Sequence, residues 1–206
     1  MPELFGSSHT RRELGRRVGR LDQVAGVRLV TLGDGGARGV RLLEFRTGSG
    51  FAFDVLVDRA FDIGRCELRG VPLAWASGVG IEGPWYYEPD GLGFFRTFGG
   101  GLLVTCGIEH SLFMADDTAA QYHYPPKQTE SFGLHGRISN RPARLTGYGE
   151  RWEGDECILF AEGETQVATV FGEQLLLRRR IEARVGESRL RVHDVVRATP
   201  RTRLLR

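Results

Sequence analysis

Phe51-Ala52-Phe53-Asp54-Val55-Leu56-Val57-Asp58 decides the fold. In an extended chain Phe51, Phe53, Val55 and Val57 fall on one side, and Ala52, Asp54, Leu56 and Asp58 on the other. That period of two reads as a β-strand with one strongly apolar face. Outward from it, β-prone runs recur at Val27–Leu32, Val40–Arg46, Gly64–Arg69, Leu102–Thr105, Ala143–Tyr148, Cys157–Glu162, Gln166–Phe171, Leu175–Arg184 and Arg189–Val196. Breaks such as Gly33-Asp34-Gly35-Gly36 and Gly48-Ser49-Gly50 separate them. The 29 glycines in 206 residues are about twice the usual share of ~7% and follow no Gly-X-Y period, so they mark many tight turns. Strands spaced by turns without intervening helices predict an all-β sandwich or barrel and disfavour Rossmann or TIM arrangements. The one helix predicted is N-terminal. Thr10-Arg11-Arg12-Glu13 has the capping-box form, and Leu14, Val18 and Leu21 follow at helical spacing. This divides the chain into a helical arm over 1–24 and a β domain over 25–206.

The net charge is +2, with 28 Lys+Arg against 26 Asp+Glu, and Lys127 is the sole lysine. Ten arginines and three acids lie between 178 and 206. Arg178, Arg180, Arg184, Arg189 and Arg191 interleave with Leu and Val, which reads as the wet face of strands rather than a nucleic-acid surface. Cys66, Cys106 and Cys157 are far apart and lie among strand-like residues, so they read as buried small hydrophobes in a reducing compartment. Met1 to Arg20 has no signal-peptide pattern, and no apolar run approaches a membrane span. These features predict a cytoplasmic protein with neither nucleic acid nor membrane as partner, and leave the oligomeric state open.

No P-loop, no G-x-G-x-x-G before a helix and no G-x-S-x-G elbow occurs, which sets aside nucleotide-dependent kinases, dinucleotide oxidoreductases and typical serine esterases. Two long segments without a clear pattern, Ser77–Phe95 and Glu109–Phe132, are candidate walls of a site. In or near them lie Arg96, Glu109, His110, Asp116, Asp117, His123, His135, Arg137 and Asn140, with Trp75, Trp85, Tyr86, Tyr87, Tyr122 and Tyr124. Forked polar groups and aromatic faces suit sugar hydroxyls and C–H patches. Cys106, His110, His123 and His135 supply donors for a metal, though at no compact zinc spacing, and the reading assigns no metal and no cofactor. His135 stands out in Gly133-Leu134-His135-Gly136-Arg137. Glycine lets backbone pack close to a ligand, and imidazole suits acid/base work. Arg137 would share the face of His135 if this segment were a strand.

Leu134-His135-Gly136-Arg137-Ile138-Ser139-Asn140-Arg141-Pro142-Ala143, preceded by Gly99-Gly100-Gly101-Leu102-Leu103-Val104-Thr105-Cys106-Gly107-Ile108-Glu109-His110, resembles a bacterial branch of the aldose 1-epimerase-like family, in the galactose mutarotase-like superfamily. Val57-Asp58-Arg59-Ala60-Phe61-Asp62-Ile63-Gly64 and Gly70-Val71-Pro72-Leu73-Ala74-Trp75 agree with it. The resemblance implies a β supersandwich, here in part, that binds a free sugar and interconverts anomers or epimers. A carboxylate takes the anomeric proton, a histidine protonates the ring oxygen, the ring opens, and reclosure gives the other anomer.

By the same resemblance His135 takes the acid/base position, Arg96 a looser substrate-contacting one, and Glu109, His110, Arg137 and Asn140 line the cleft. Ala60 stands where the family commonly has glycine. The family's chains continue past Arg206, into the half that resembles the bearer of a second histidine and the glutamate base, so the chain looks truncated. On that reading it lacks the base, has little mutarotase activity alone, and is marginal in stability or needs a partner. Two readings compete: a non-catalytic sugar-binding module, and a metal-dependent β-sandwich enzyme using the Cys106 set.

Overall fold

A computed structural model describes residues 1–120, 126–170 and 172–198. The strands are β1 (Glu3–Leu4), β2 (Ser7–Ser8), β3 (Gly26–Thr31), β4 (Arg41–Arg46), β5 (Phe51–Leu56), β6 (Asp62–Leu68), β7 (Val71–Pro72), β8 (Trp75–Ala76), β9 (Gly100–Gly101), β10 (Ala115–Thr118), β11 (Thr129–Phe132), β12 (Arg144–Glu153), β13 (Glu156–Ala168), β14 (Gln174–Arg184) and β15 (Leu190–Ala198). One seven-residue helix, α1 (Arg11–Arg17), precedes β3. The protein is all-β, as its strand pattern predicts.

Two antiparallel meanders make the architecture: β3-β4-β5-β6-β7 and β12-β13-β14-β15. Their inner faces share one core, with Leu43, Phe45, Phe53, Val55 and Ile63 from the first sheet and Leu159, Ala161, Ile181 and Ala183 from the second. Phe45 and Phe53 stack at the centre, 4.5 Å between ring centroids. Burying side chains of this size contributes roughly 1.5–3 kcal/mol each. The outer face of Phe51–Asp58 is not wet: Asp54 and Asp58 are buried, and Arg65 and Arg41 pair with them. The capping box at Thr10 and Glu13 forms as expected, and Leu14 and Leu4 are buried in the shared core.

Several local expectations are corrected. Helix α1 stops at Arg17, and Leu21 begins a separate 3-10 turn instead of extending it. Cys157–Glu162 and Gln166–Phe171 are not two strands, because β13 runs unbroken from Glu156 to Ala168. Gly163, in the gap between those two expected runs, is a packing device: a Cβ there would lie 2.7 Å from the buried Phe61 ring. Leu102–Thr105 is no strand. After the two residues of β9, Leu103 makes only an isolated bridge to Ile63, and Thr105 is drawn to Asp62. Glu109–Phe132 contains the β10–β11 pair, and 3-10 turns occupy Pro84–Tyr86 and Gly93–Arg96. Cys66 and Cys157 are buried, but Cys106 is exposed. Among the described residues no helix is long and apolar enough to cross a membrane.

Candidate functional site

His135 lies in a turn, not a strand. Its φ of 61° and that of Gly136 (68°) both fall in the left-handed region, so the alternation that would put Arg137 on the same face does not apply. Backbone bonds pin the turn on both sides: His135 N–H donates to Leu112 O at 2.9 Å, and Gly107 N–H donates to His135 O at 3.0 Å. The Phe94 ring meets the imidazole edge-on, with centroids 5.0 Å apart. Thus His135 is a half-buried imidazole held by backbone and aromatic contacts. Its Nδ1 is buried and has no hydrogen-bond partner among the described residues.

Glu109 closes on the same turn. Its Oε1 accepts the Arg137 N–H, and its Oε2 is buried without a partner among the described residues. Gly136 makes this approach possible, since a Cβ there would lie 2.6 Å from Glu109 Oε1 and 2.9 Å from His110 O. Tyr87 donates its hydroxyl to Gly136 O at 2.9 Å; burial pushes this phenol's pKa up, Arg137 pulls it down and Glu109 adds to the rise. His110 stacks on Phe132 at 4.8 Å, and its Nε2 lies 2.6 Å from Phe113 O. Arg137 reaches the buried Glu130 at 3.5 Å, where Lys127 also pairs. A depression of about 310 Å³, lined by Gly91, Met114, Asp116, Phe132 and Gly133, opens just before the turn.

Glu109 thus meets the turn through Arg137 N–H, and the His110 carbonyl lies against Gly136, while the His110 ring packs on Phe132. Asn140 does not join their hydrogen bonds. It is buried, takes the Thr97 hydroxyl at 3.0 Å and donates to Ser139 Oγ at 3.3 Å. Arg96 is largely exposed and pairs with Glu88 at 3.1 Å, so no contact ties it to His135. Trp75, Trp85 and Tyr86 are exposed. His123, Tyr122 and Tyr124 lie outside the described residues, as does the Arg-rich end from 199 to 206. Among the described residues no group of three His, Cys, Asp or Glu is arranged to hold a metal ion, and Cys106 does not join His110 and His135 in one.

Sequence reading missed a buried charged layer beneath the turn. Arg59 donates to Ser139 O at 2.9 Å, Thr97 O at 2.7 Å and Glu82 O at 3.2 Å, bracing the backbone on which the His135 segment rests. Burial lowers its pKa. Asp62 Oδ1 accepts from Thr105 N–H at 2.9 Å, from the Thr105 hydroxyl, and from Arg179 Nη1 at 3.2 Å. Burial pushes its carboxyl up to about 6, against the downward pull of Thr105 and Arg179. Arg179 also forks onto Asp194 at 2.8 and 2.7 Å. Its inward direction was legible, because Leu177, Arg179, Ile181 and Ala183 have the same parity and all are buried. Ala60, at the family's glycine position, has φ 51°, the left-handed conformation that glycine adopts without strain.

The protein is similar in structure to the crystal structure of a "putative aldose 1-epimerase" from Klebsiella pneumoniae subsp. pneumoniae MGH 78578, with a TM-score of 0.68 and 22% identity. The match covers 82% of this chain and 42% of that one, so the protein spans well under half of its structural neighbour. It therefore has an aldose 1-epimerase-like fold. No curated protein matches. A family model described as a domain of unknown function, DUF4432, matches residues 37–203. That match takes in β4–β7 of the first meander, the whole of the second and the His135 turn, and the chain belongs to the DUF4432 family.

Proposed function

We propose that the protein binds a free sugar at the His135 turn, as an isomerase-like member of carbohydrate metabolism acting in the cytoplasm. One observation carries the reading: His135 Nδ1, in the turn, and Glu109 Oε2, on the side chain that caps it, are both buried with no partner among the described residues. Buried polar atoms are nearly always hydrogen-bonded, and leaving one unsatisfied costs roughly 1–3 kcal/mol. Sugar hydroxyls donate and accept, and so satisfy an imidazole and a carboxylate together once binding parts the capped turn, because both atoms are enclosed in the free protein. Arg137 contributes its backbone N–H to Glu109, while its guanidinium is held by Glu130. The aldose 1-epimerase-like fold supports the same substrate class by analogy.

In ring opening, a base takes the proton of the anomeric hydroxyl and the C1–O5 electron pair moves to O5. His135 gives O5 its proton, and the sequence runs backwards after the aldehyde has rotated. Imidazole suits this because it titrates near neutrality. Glu109 binds and orients the sugar, and the anomeric base is assigned to no residue of this chain. Exchange NMR on a panel of aldoses and uronates tests the proposal. One sugar should bind saturably, and His135→Ala should weaken binding or slow anomer exchange by about tenfold or more, the equivalent of one lost hydrogen bond to a buried group. Accelerated exchange that His135→Ala leaves unchanged would defeat it.

A further inference from the structure

A second cavity, of about 300 Å³, lies between β6 and the β8–β9 pair, with Leu56, Trp75, Ile81 and Phe98 in its wall. Arg59, Asp62, Arg65 and Glu82 are its charged lining, and of these Arg59 and Asp62 are more than nine-tenths buried. Each has one polar atom to spare. Arg59 uses Nε and Nη1 on three backbone carbonyls, and Nη2 donates to no described residue. All three hydrogen bonds to Asp62 fall on Oδ1, and Oδ2 accepts none from the described residues. Neither atom is among the sealed, unpartnered ones, so both reach accessible space. A buried donor and a buried acceptor thus line one mostly apolar chamber, with Trp75 standing 65% exposed in its wall.

We infer that this cavity is a binding site, separate from the His135 turn, for a neutral and largely apolar small molecule whose single polar head both donates and accepts, as a primary carboxamide does. The head's N–H meets Asp62 Oδ2, its carbonyl meets Arg59 Nη2, and its body packs on Trp75 and Phe98. A carboxylate head satisfies Arg59 but faces the Asp62 carboxylate. A cationic head satisfies Asp62 but faces the Arg59 guanidinium. A monosaccharide does not fit, because its remaining hydroxyls would be buried against apolar walls at roughly 1–3 kcal/mol each. The cavity volume, at the small end for ligand sites, suits a one-ring body.

Benzamide, benzoate, benzamidine and glucose are the probes, with ligand-observed NMR on the full chain at pH 7.5. Benzamide should bind about tenfold more tightly than benzoate or benzamidine, the worth of one satisfied against one unsatisfied polar group. Trp75→Ala removes an exposed side chain and leaves the core intact; it should weaken benzamide about tenfold through lost aromatic contact. Arg59→Lys should level the preference among the three heads, and Trp75→Ala keeps the test decisive if that variant does not fold. Failure of benzamide to saturate, equal affinity for the three heads, or glucose displacing benzamide would overturn the inference. Sugar binding at His135 is scored separately, through His135→Ala.

Discussion

Gly136→Ala probes the site's architecture with an internal control. Gly136 has φ 68° and Gly154, in the β12–β13 turn, has φ 61°, so an alanine at either position meets the same left-handed strain of roughly 1–2 kcal/mol. The reduced freedom of the unfolded chain is also common to both. What differs is space. A Cβ at 154 meets nothing within 4 Å, whereas at 136 it would lie 2.6 Å from Glu109 Oε1, 2.9 Å from Glu109 Cδ and 2.9 Å from His110 O. The carboxylate cannot simply swing away without releasing Arg137 N–H, and the His110 carbonyl is backbone. Overpacking of this kind costs typically 1–3 kcal/mol, so Gly136→Ala should lose about 1–3 kcal/mol more than Gly154→Ala. Urea denaturation of the two variants and the parent measures the difference, with unchanged m-values as the check on two-state unfolding. Gly136→Ala should also abolish sugar binding, while Gly154→Ala leaves it intact. Equal stability losses would refute the packing argument, and sugar binding that survives in Gly136→Ala would refute the role of the turn.

Three further outcomes follow from the buried layer and the thiols. Arg179→Met removes the guanidinium N–H that donates to buried Asp62 and should cost about 3–5 kcal/mol in chemical denaturation, more than Asp62→Asn. Asp62 rises from 3.8 to about 6 on folding, so ionising it opposes folding: its contribution is most favourable below pH 4 and is lost as pH climbs to 6, and Asp62→Asn should remove that part of the pH dependence of stability. A maleimide at neutral pH should label only Cys106 in the native protein and all three thiols in denaturant, because Cys66 and Cys157 are buried and burial pushes Cys157 up to about 12. Labelling of two or three thiols under native conditions, read by intact mass, would contradict the packing described.

What the sequence reveals depends on how local the signal is. The alternation at Phe51–Asp58 is a local pattern, and it places Phe53 and Val55 in the core without reference to any distant residue. Gly163 falls in the gap between two expected runs because its reason is remote in sequence: the Phe61 ring occupies the space of its side chain, and Arg179 pairs opposite it in the sheet. Arg178 and Arg180 read as the wet face of a strand, and the same parity sends Arg179 between them inward, where it meets Asp62 from 117 positions earlier, a partner no local pattern names. Cys106 reads as buried from its apolar neighbours, but the chain there is irregular and turns the thiol outward. At the site, Gly-His-Gly spacing singles out His135 and its neighbours. Only three-dimensional packing tells that Glu109 caps the turn, that Asn140 belongs to the layer beneath, and that Arg96 pairs with Glu88 at the surface.

The central claim is that sugar hydroxyls satisfy the two unpartnered atoms of the His135 turn. A crystal structure of the full chain soaked with the aldose that binds most tightly in solution tests this most directly. The account predicts sugar oxygens at about 2.7–3.2 Å from both His135 Nδ1 and Glu109 Oε2. A sugar seated elsewhere, with ordered water or nothing on those atoms, would contradict it.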